Sequence, residues 1–318
     1  MEKQTFIIQA TNDKLWNLTE FVKFLADNQH KDIKLIMNPE AICFEHTGVY
    51  HLVDCFQFSS VRMFTKNPLE SHTKYSIVNP WKNEFMDHVP VIPTELHTWS
   101  GAKKFLAFYH RPTASRLGLA SYLFKHYKDQ SSIHFNYNTD IDRLQLYEFD
   151  KLALLRLDSL EDVAAMLPYM PLYAYENHDV DEIMTWYDYS RDPGITLYRD
   201  ILVDIISEAH TMGNTFYPTE KTTRPMWLKK PFITFASKDY LCYLRQLGFR
   251  TFNDFWDEDY DSYEGRERYV RILQLVDTLA KKSKSELNDL YWAMKYTLDY
   301  NYDLLQTQSY NTSITKIT

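Results

Sequence analysis

Short apolar runs of strand length alternate along the chain with longer segments in which apolar residues recur every three or four positions. The short runs, rich in β-branched and aromatic residues, predict strands at residues 5–9, 33–37, 49–56, 75–78, 103–110, 133–137 and 231–236, and residues 197–207 contain a predicted strand that ends at residue 207. The helical periodicity predicts helices at residues 15–25, 114–128, 159–166, 240–247, 266–284 and 286–305. Strands that alternate with helices indicate the α/β class, in which helices cover the faces of a sheet.

The length of 318 residues suits two closely joined domains, since the chain has no repeat and no Pro- or Gly-rich linker. We predict an N-terminal domain at residues 1–100 and a second α/β domain at residues 101–285. Residues 286–318 then form a C-terminal helix with a polar tail.

The most distinctive chemistry lies between two predicted strands of the second domain. Thr219-Glu220-Lys221 opens a short predicted helix, and residues 219–250 contain seven Lys or Arg against two Asp or Glu. Residues 253–264 then carry six acids and no base. Because helix N-termini and lysines attract phosphate, we expect Lys221 to face an anion. Glu220, expected on the other side of the helix, would accept hydrogen bonds from a ribose diol.

Two further places suggest contacts to a nucleotide. Arg111 and Arg116 flank the N-terminal turn of helix 114–128, where a pyrophosphate is readily bound. Glu208 follows a predicted strand whose carboxyl end would face the same cleft, so it is a candidate contact to a sugar or ribose. The alternative interpretation is that the arginines are solvated and that Glu220 and Lys221 form an ordinary surface charge pair.

The second half of the chain resembles a known family. Thr219-Glu220-Lys221, Arg224-Pro225 and Lys230-Pro231-Phe232-Ile233 resemble the donor-binding segment of nucleotide-sugar glycosyltransferases of the α-1,3-fucosyltransferase type. Continued through residues 244–252 and 257–261, the pattern is similar to a glycosyltransferase-like C-terminal domain of bacteriophage and virus proteins. Such proteins also tend to carry an Arg-Pro and a later Arg, as at residues 111–116. Trp227-Leu228-Lys229 departs from the family's small residues and leaves the sugar undefined.

The resemblance implies a GT-B fold, in which two Rossmann-like domains face a cleft and the C-terminal helix returns to the first domain. It implies that Glu220 holds the ribose and Lys221 the phosphates. The expected activity is a glycosyltransferase that moves a sugar from a nucleotide-sugar co-substrate to a hydroxyl of a glycan or of a hydroxymethylated base in phage DNA. The Lys and Arg residues favour a metal-independent reaction without a cofactor.

Inversion at the sugar would require a general base, which in GT-B enzymes comes from the first domain. Glu40 is favoured because it follows a predicted strand, and Glu70, Glu45 and His46 are the alternatives. Two acidic groups are candidate metal sites. For Asp140 with Asp142 the alternative is an ordinary turn, and for His178 with Asp179 and Asp181 it is a solvated acidic face.

Composition narrows the remaining choices. The net charge of −8 argues mildly against strong DNA binding. Three cysteines, Cys43, Cys55 and Cys242, lack metal spacing and are interpreted as reduced, buried thiols. No signal-peptide pattern or apolar run of membrane length occurs, so we expect a cytoplasmic protein without a membrane partner, in the host cytoplasm if phage-encoded.

The alternative function is a non-catalytic binding or structural protein on a degenerate GT-B scaffold. A hydrolase ranks below both, because no carboxylate pair is recognisable.

Overall fold

The computed structural model describes residues 4–11, 14–15, 17–38, 43–45, 47–79, 97–109, 112–135, 155, 159–174 and 197–307. These residues form a mixed α/β protein with two sheets whose strands are largely parallel, which confirms the predicted α/β class. The chain divides into two compact units. The first comprises Met1–Glu84, His210–Tyr217 and Tyr310–Thr318, and the second Phe85–Ala209 and Pro218–Ser309.

The first unit is built on a five-stranded sheet. Its elements are β1 (Gln4–Thr11), β2 (Lys14–Leu15), α1 (Leu18–Asp27), β3 (Asp32–Asn38), α2 (Val49–Asp54), β4 (Ser60–Phe64) and β5 (Ser76–Val78). The strand order is β2-β1-β3-β4-β5, and only β2 is antiparallel to its neighbour. Apolar residues of β1, β3 and β4 pack with the buried faces of α1 and α2 in one core.

Three predictions of helices and strands in this unit were wrong in detail, and Cys55, expected to be a buried thiol, is exposed. Residues 49–56, predicted as a strand, contain helix α2, because Val49, Tyr50 and Val53 bury one helical face behind Gly48, which adopts φ +73°. Strand β4 was missed because Met63 is its only fully buried residue, so its apolar signal is weak. Helix α1 begins at Leu18, since Lys14–Leu15 pairs with β1 instead.

The second unit holds a four-stranded parallel sheet of order β7-β6-β8-β9. Its strands are β6 (Phe105–Tyr109), β7 (Ser131–Phe135), β8 (Val203–Ser207) and β9 (Phe232–Phe235). Its helices are α3 (Ala114–Tyr127), α4 (Ser159–Met166), α5 (Leu197–Asp200), α6 (Glu220–Trp227), α7 (Tyr240–Gln246), α8 (Gly265–Ala280) and α9 (Lys284–Thr307). Every residue of β6, β8 and β9 is buried, as expected for a parallel sheet covered on both faces.

The first half of α9 contacts the segment that precedes β6. Tyr291 of α9 donates a hydrogen bond to the backbone oxygen of His97 at 2.6 Å, and Lys284 donates to that of Ser100 at 3.4 Å. The segment just before residue 101 therefore packs with α9, and both belong to the second unit. The predicted return of this helix to the first domain stays a prediction.

A buried lysine lies in the second unit just before β9. Lys230 is fully buried, and its ammonium donates to the backbone oxygens of Thr98 and, at 3.3 Å, of Ile201. It also lies 5.5 Å from the ring centroid of Tyr291. Burial of the charge lowers the pKa of Lys230 from 10.5 to about 7.

We expect the free energy of unfolding to rise with pH because of Lys230. Between pH 7 and 10.5 the folded state binds fewer protons at this site than the unfolded state, so the free energy of unfolding increases with pH and levels off above that window. Urea titrations from pH 6.5 to 10.5 should show this slope in the wild type and lose it in Lys230→Met. Replacement of the exposed Lys281 by Met should leave the slope intact, and an unchanged slope in Lys230→Met would contradict the assignment.

Candidate functional site

The strand order of the second sheet identifies an edge suited to ligands. Strand β6 lies between β7 and β8; the chain passes from β6 through α3 to β7 on one side, and from β8 through α6 to β9 on the other. The carboxyl ends of β6 and β8 therefore lie at a switch in strand order, where open α/β sheets commonly bind ligands. Helices α3 and α6 both follow these ends, so the positive ends of two helix dipoles meet this edge.

Thr219, Glu220 and Lys221 form the first turn of α6. Thr219 is the N-cap, and its hydroxyl accepts a hydrogen bond from the Lys221 amide at 3.3 Å. The Lys221 ammonium contacts the Glu220 carboxylate at 2.5 Å, and their side chains are 16% and 6% exposed. Glu220 thus lies with Lys221, whereas the sequence predicted that it would face the other side of the helix.

Glu208 holds this turn in place from the end of β8. Its Oε1 accepts hydrogen bonds from the Thr219 amide at 3.1 Å, the Thr222 hydroxyl at 2.6 Å and the Tyr240 hydroxyl at 3.1 Å. Its Oε2 accepts from the Thr219 hydroxyl at 2.5 Å and the Ala209 amide at 3.2 Å. Both oxygens of this buried carboxylate are therefore engaged by protein donors. The predicted contact of Glu208 to a sugar or ribose stays a prediction.

Arg116, in the first turn of α3, reaches the same edge. It is only 5% exposed, and its Nη2 donates to the backbone oxygen of Ser207, the last residue of β8, at 3.3 Å. The hydroxyl oxygens of Ser115 and Ser207 are 2.8 Å apart, and those of Thr113 and Ser115 are 3.3 Å apart. The start of α3 is thus joined to the end of β8 by hydroxyl and guanidinium contacts, and the start of α6 by the Glu208 carboxylate. Arg111 lies outside the described residues.

The structure therefore brings five of the predicted site residues to one sheet edge: Arg116, Glu208, Thr219, Glu220 and Lys221. Two helix N-termini, a guanidinium, an ammonium and several hydroxyls are donors that suit an anion. Sequence reasoning did not assign Ser115, Ser207, Thr222 or Tyr240 to the site. Ser207 was visible as a polar residue that ends an apolar strand, but no sequence signal links Tyr240 to Glu208, 32 positions earlier.

The positive stretch at residues 219–250 resolves mostly into internal pairs. Arg224 is buried, donates from Nε to the Tyr198 hydroxyl at 2.6 Å and lies 3.8 Å from the Asp204 carboxylate. Lys229 pairs with Asp299 at 2.8 Å, and Arg245 with Glu258 at 3.2 Å. Much of the expected positive field is therefore neutralised inside the fold, and Lys221 is the cation of this stretch that opens α6 at the site.

Of the predicted general bases, the structure describes Glu45 and Glu70, and Glu70 has the more specialised surroundings. It follows β4, and its Oε1 accepts from the Tyr50 hydroxyl at 2.6 Å. Its Oε2 accepts from the Phe44 amide at 2.9 Å and the Asn67 side chain at 3.4 Å. Burial raises the pKa of Glu70 despite these bonds, which suits a carboxylate that must take a proton. Glu45 is exposed.

The remaining predictions fall on residues that the structure does not describe: Glu40, His46, Asp140, Asp142, His178, Asp179 and Asp181. Within the described ranges, no group of three His, Cys, Asp or Glu side chains is placed to hold a metal ion. No helix in that same part of the chain is long and apolar enough to cross a membrane.

Comparison with known proteins identifies no family for this chain. No protein-family model and no curated protein matches the sequence. Among solved structures, the N-terminal domain of trehalose-6-phosphate phosphatase from Candida albicans is similar at 10% sequence identity, over 96% of this chain and 70% of that chain, with a TM-score of 0.34. A likeness of this degree supports no statement about activity.

Proposed function

We propose that this protein is a glycosyltransferase that moves a sugar from a nucleotide-sugar donor to a hydroxyl acceptor, a glycan or a hydroxymethylated base in DNA. The observation that supports the proposal is the convergence of the α3 and α6 N-termini, Arg116 and Lys221 at the switch point of the second sheet. The proposal includes a GT-B arrangement, with the second unit as the donor domain and the first as the acceptor domain.

In the proposed reaction, the bond between the anomeric carbon and the diphosphate oxygen breaks while the acceptor oxygen bonds to that carbon. Negative charge grows on the leaving diphosphate, where Lys221, Arg116 and the helix amides would stabilise it. Lys221 would exchange part of its contact with Glu220 for phosphate. The Glu220 carboxylate would then accept hydrogen bonds from the ribose.

The acceptor hydroxyl must lose a proton as it attacks. Glu70 is our choice among the described candidates, because its raised pKa makes it a better proton acceptor than an ordinary surface carboxylate. Glu40 remains the alternative from sequence. In both cases the protein would supply the cationic groups that hold the diphosphate, and the reaction would need no metal ion.

A thermal-shift panel tests the donor class. UDP-, GDP-, CMP- and dTDP-linked sugars and the bare nucleotides are added to the wild type, to Lys221→Ala and to Lys281→Ala, an exposed control. Ligand at ~100 times its Kd should stabilise the wild type by roughly 2.7 kcal/mol. We expect one nucleotide class to do so, the shift to fall in Lys221→Ala and the control to match the wild type.

A non-catalytic scaffold is the second candidate. The observation that favours it is that Lys221 is already paired with Glu220 and that both oxygens of Glu208 are occupied by protein donors. Such a scaffold predicts no shift with any nucleotide, and no effect of Lys221→Ala beyond local stability.

A further inference from the structure

A separate groove lies on the second unit, between the segment that follows α7 and the exposed side of α9. It encloses about 460 Å³ and is lined among others by Arg250, Asn253, Asp254, Phe255 and Tyr296. None of these residues belongs to the nucleotide site proposed above. The groove is therefore a separate surface feature of the second unit.

Arg250 is held in this groove by α9. Its backbone amide donates to the Asn301 side chain at 2.8 Å, and its backbone oxygen accepts from the same side chain at 2.8 Å. Its guanidinium lies 4.5 Å from the ring centroid of Tyr296 and 4.2 Å from that of Tyr300. Within the described residues, no ion pair or hydrogen bond engages this guanidinium, so its N–H groups are oriented by stacking and remain open to a ligand.

Exposed aromatic rings extend the same side of α9. Tyr296 is 68% exposed and Trp292, one helical turn earlier, is 57% exposed. Large rings of this kind normally bury much of their area, and neighbouring exposed rings commonly mark a binding surface.

The polar lining favours a neutral ligand rich in hydroxyl groups. Arg250 offers donors, Asp254 offers acceptors, and Asn253 offers both. Arg245, also in the lining, is neutralised by Glu258 at 3.2 Å and bonds the Thr251 hydroxyl at 2.7 Å. Charges of both signs are therefore balanced in the groove. This balance counts Arg245 and Arg250 against Asp254 of the lining and Glu258, the partner of Arg245. Phosphate-rich nucleic acid requires an excess of positive charge, which these four side chains do not supply.

We propose that this groove binds a neutral oligosaccharide, one of whose sugar rings stacks on Tyr296 while its hydroxyls bond to Arg250, Asn253 and Asp254. The inference rests on the groove alone and not on the proposed nucleotide site. If both are right, the groove would hold the glycan acceptor away from the reacting end and would favour a glycan over DNA as acceptor.

Calorimetric titration with a panel of neutral hexasaccharides of glucose, mannose and N-acetylglucosamine tests this inference. We expect one of them to bind the wild type, and Tyr296→Ala and Arg250→Ala each to weaken it by about tenfold or more. Tyr169→Ala, at a tyrosine that is 60% exposed elsewhere, should bind like the wild type. Arg250→Lys, which keeps the charge but loses the planar stack, should also bind weakly.

The groove assignment is overturned by either of two results: none of the hexasaccharides binds at millimolar concentration, or binding is unchanged in Tyr296→Ala. Preferential binding of a single-stranded oligonucleotide, lost in Tyr296→Ala and steeply weakened by salt, would also overturn it. Thermal midpoints close to that of the wild type would show that the variants fold. Nucleotide binding in the same preparations separates this result from the proposed function, since a wild type that binds nucleotide but no glycan contradicts the groove alone.

Discussion

Replacing Arg268 with Ala is expected to lower the free energy of unfolding by about 3–5 kcal/mol, the usual cost of removing one partner of a buried ion pair. Arg268 lies in α8 and is fully buried. Its Nη1 donates to the backbone oxygens of Ser237 at 3.0 Å and Asp261 at 3.2 Å. Its Nη2 donates to the backbone oxygen of Thr234 at 3.1 Å and to the Asp261 carboxylate at 3.1 Å.

The loss would extend beyond these bonds, because Asp261 has a second function. Its carboxylate accepts from the amides of Leu241 at 2.9 Å and Cys242 at 3.0 Å, and so satisfies the first turn of α7. Without Arg268, this carboxylate would stay buried without its charge partner. One arginine therefore links α8, the end of β9 and the start of α7.

Urea-induced unfolding of the wild type, Arg268→Ala and Arg266→Ala measures this effect. Arg266 lies on the same helix but is exposed, so its replacement should change the free energy of unfolding by no more than about 0.5 kcal/mol. Comparable losses in both variants, or a loss below about 1 kcal/mol in Arg268→Ala, would contradict the network described above.

Glu208→Ala is expected to destabilise the protein by about 3 kcal/mol, because it leaves several buried donors unsatisfied at once. Thr222→Val and Tyr240→Phe each remove one donor and should cost about 1 kcal/mol. Glu208→Ala should also loosen the first turn of α6, because the Glu208 carboxylate holds this turn through the amide and hydroxyl of Thr219. Glu208→Gln keeps the shape but brings an amide against these donors, so an intermediate loss is expected.

Hydrogen exchange of the α6 segment, read together with urea unfolding, tests the role of Glu208. We expect faster exchange across residues 219–224 in Glu208→Ala under conditions where the protein remains folded. Exchange of α9, which has no bond to this carboxylate in the described network, serves as the internal control. Uniform changes across both helices would show that Glu208 acts on global stability alone.

Much of the second unit could be predicted because its sequence signals are local. The β9 run, the start of α6 at residues 219–221 and the periodicity of α8 and α9 each depend on residues close together in the chain, and the structure confirms them within a few residues. The same logic located Ser207 and Glu208 at the end of a strand. In open α/β sheets, ligands bind at the edge formed by the carboxyl ends of the parallel strands, so a strand end alone indicates this edge.

The parts that the sequence did not predict depend on distant contacts. Residues 49–56 carry a strand-like composition, but burial of Val49, Tyr50 and Val53 selects a helix. The charges at residues 219–250 looked like a binding field, yet Arg224 and Lys229 pair with Asp204 and Asp299. Tertiary packing decides which charged side chains form pairs. A count of charges along the chain does not show which pairs will form.

We expect the edge formed by α3, β8 and α6 to bind a nucleotide-sugar. Calorimetric titration of the nucleotide selected by the thermal panel into the wild type, Lys221→Ala, Glu220→Ala and Lys281→Ala tests this expectation. We expect losses of roughly 1–3 kcal/mol in binding free energy, about 5- to 150-fold in Kd, for the first two variants and none for Lys281→Ala. Equal affinities in all four proteins, or no binding by the wild type, would contradict the claim.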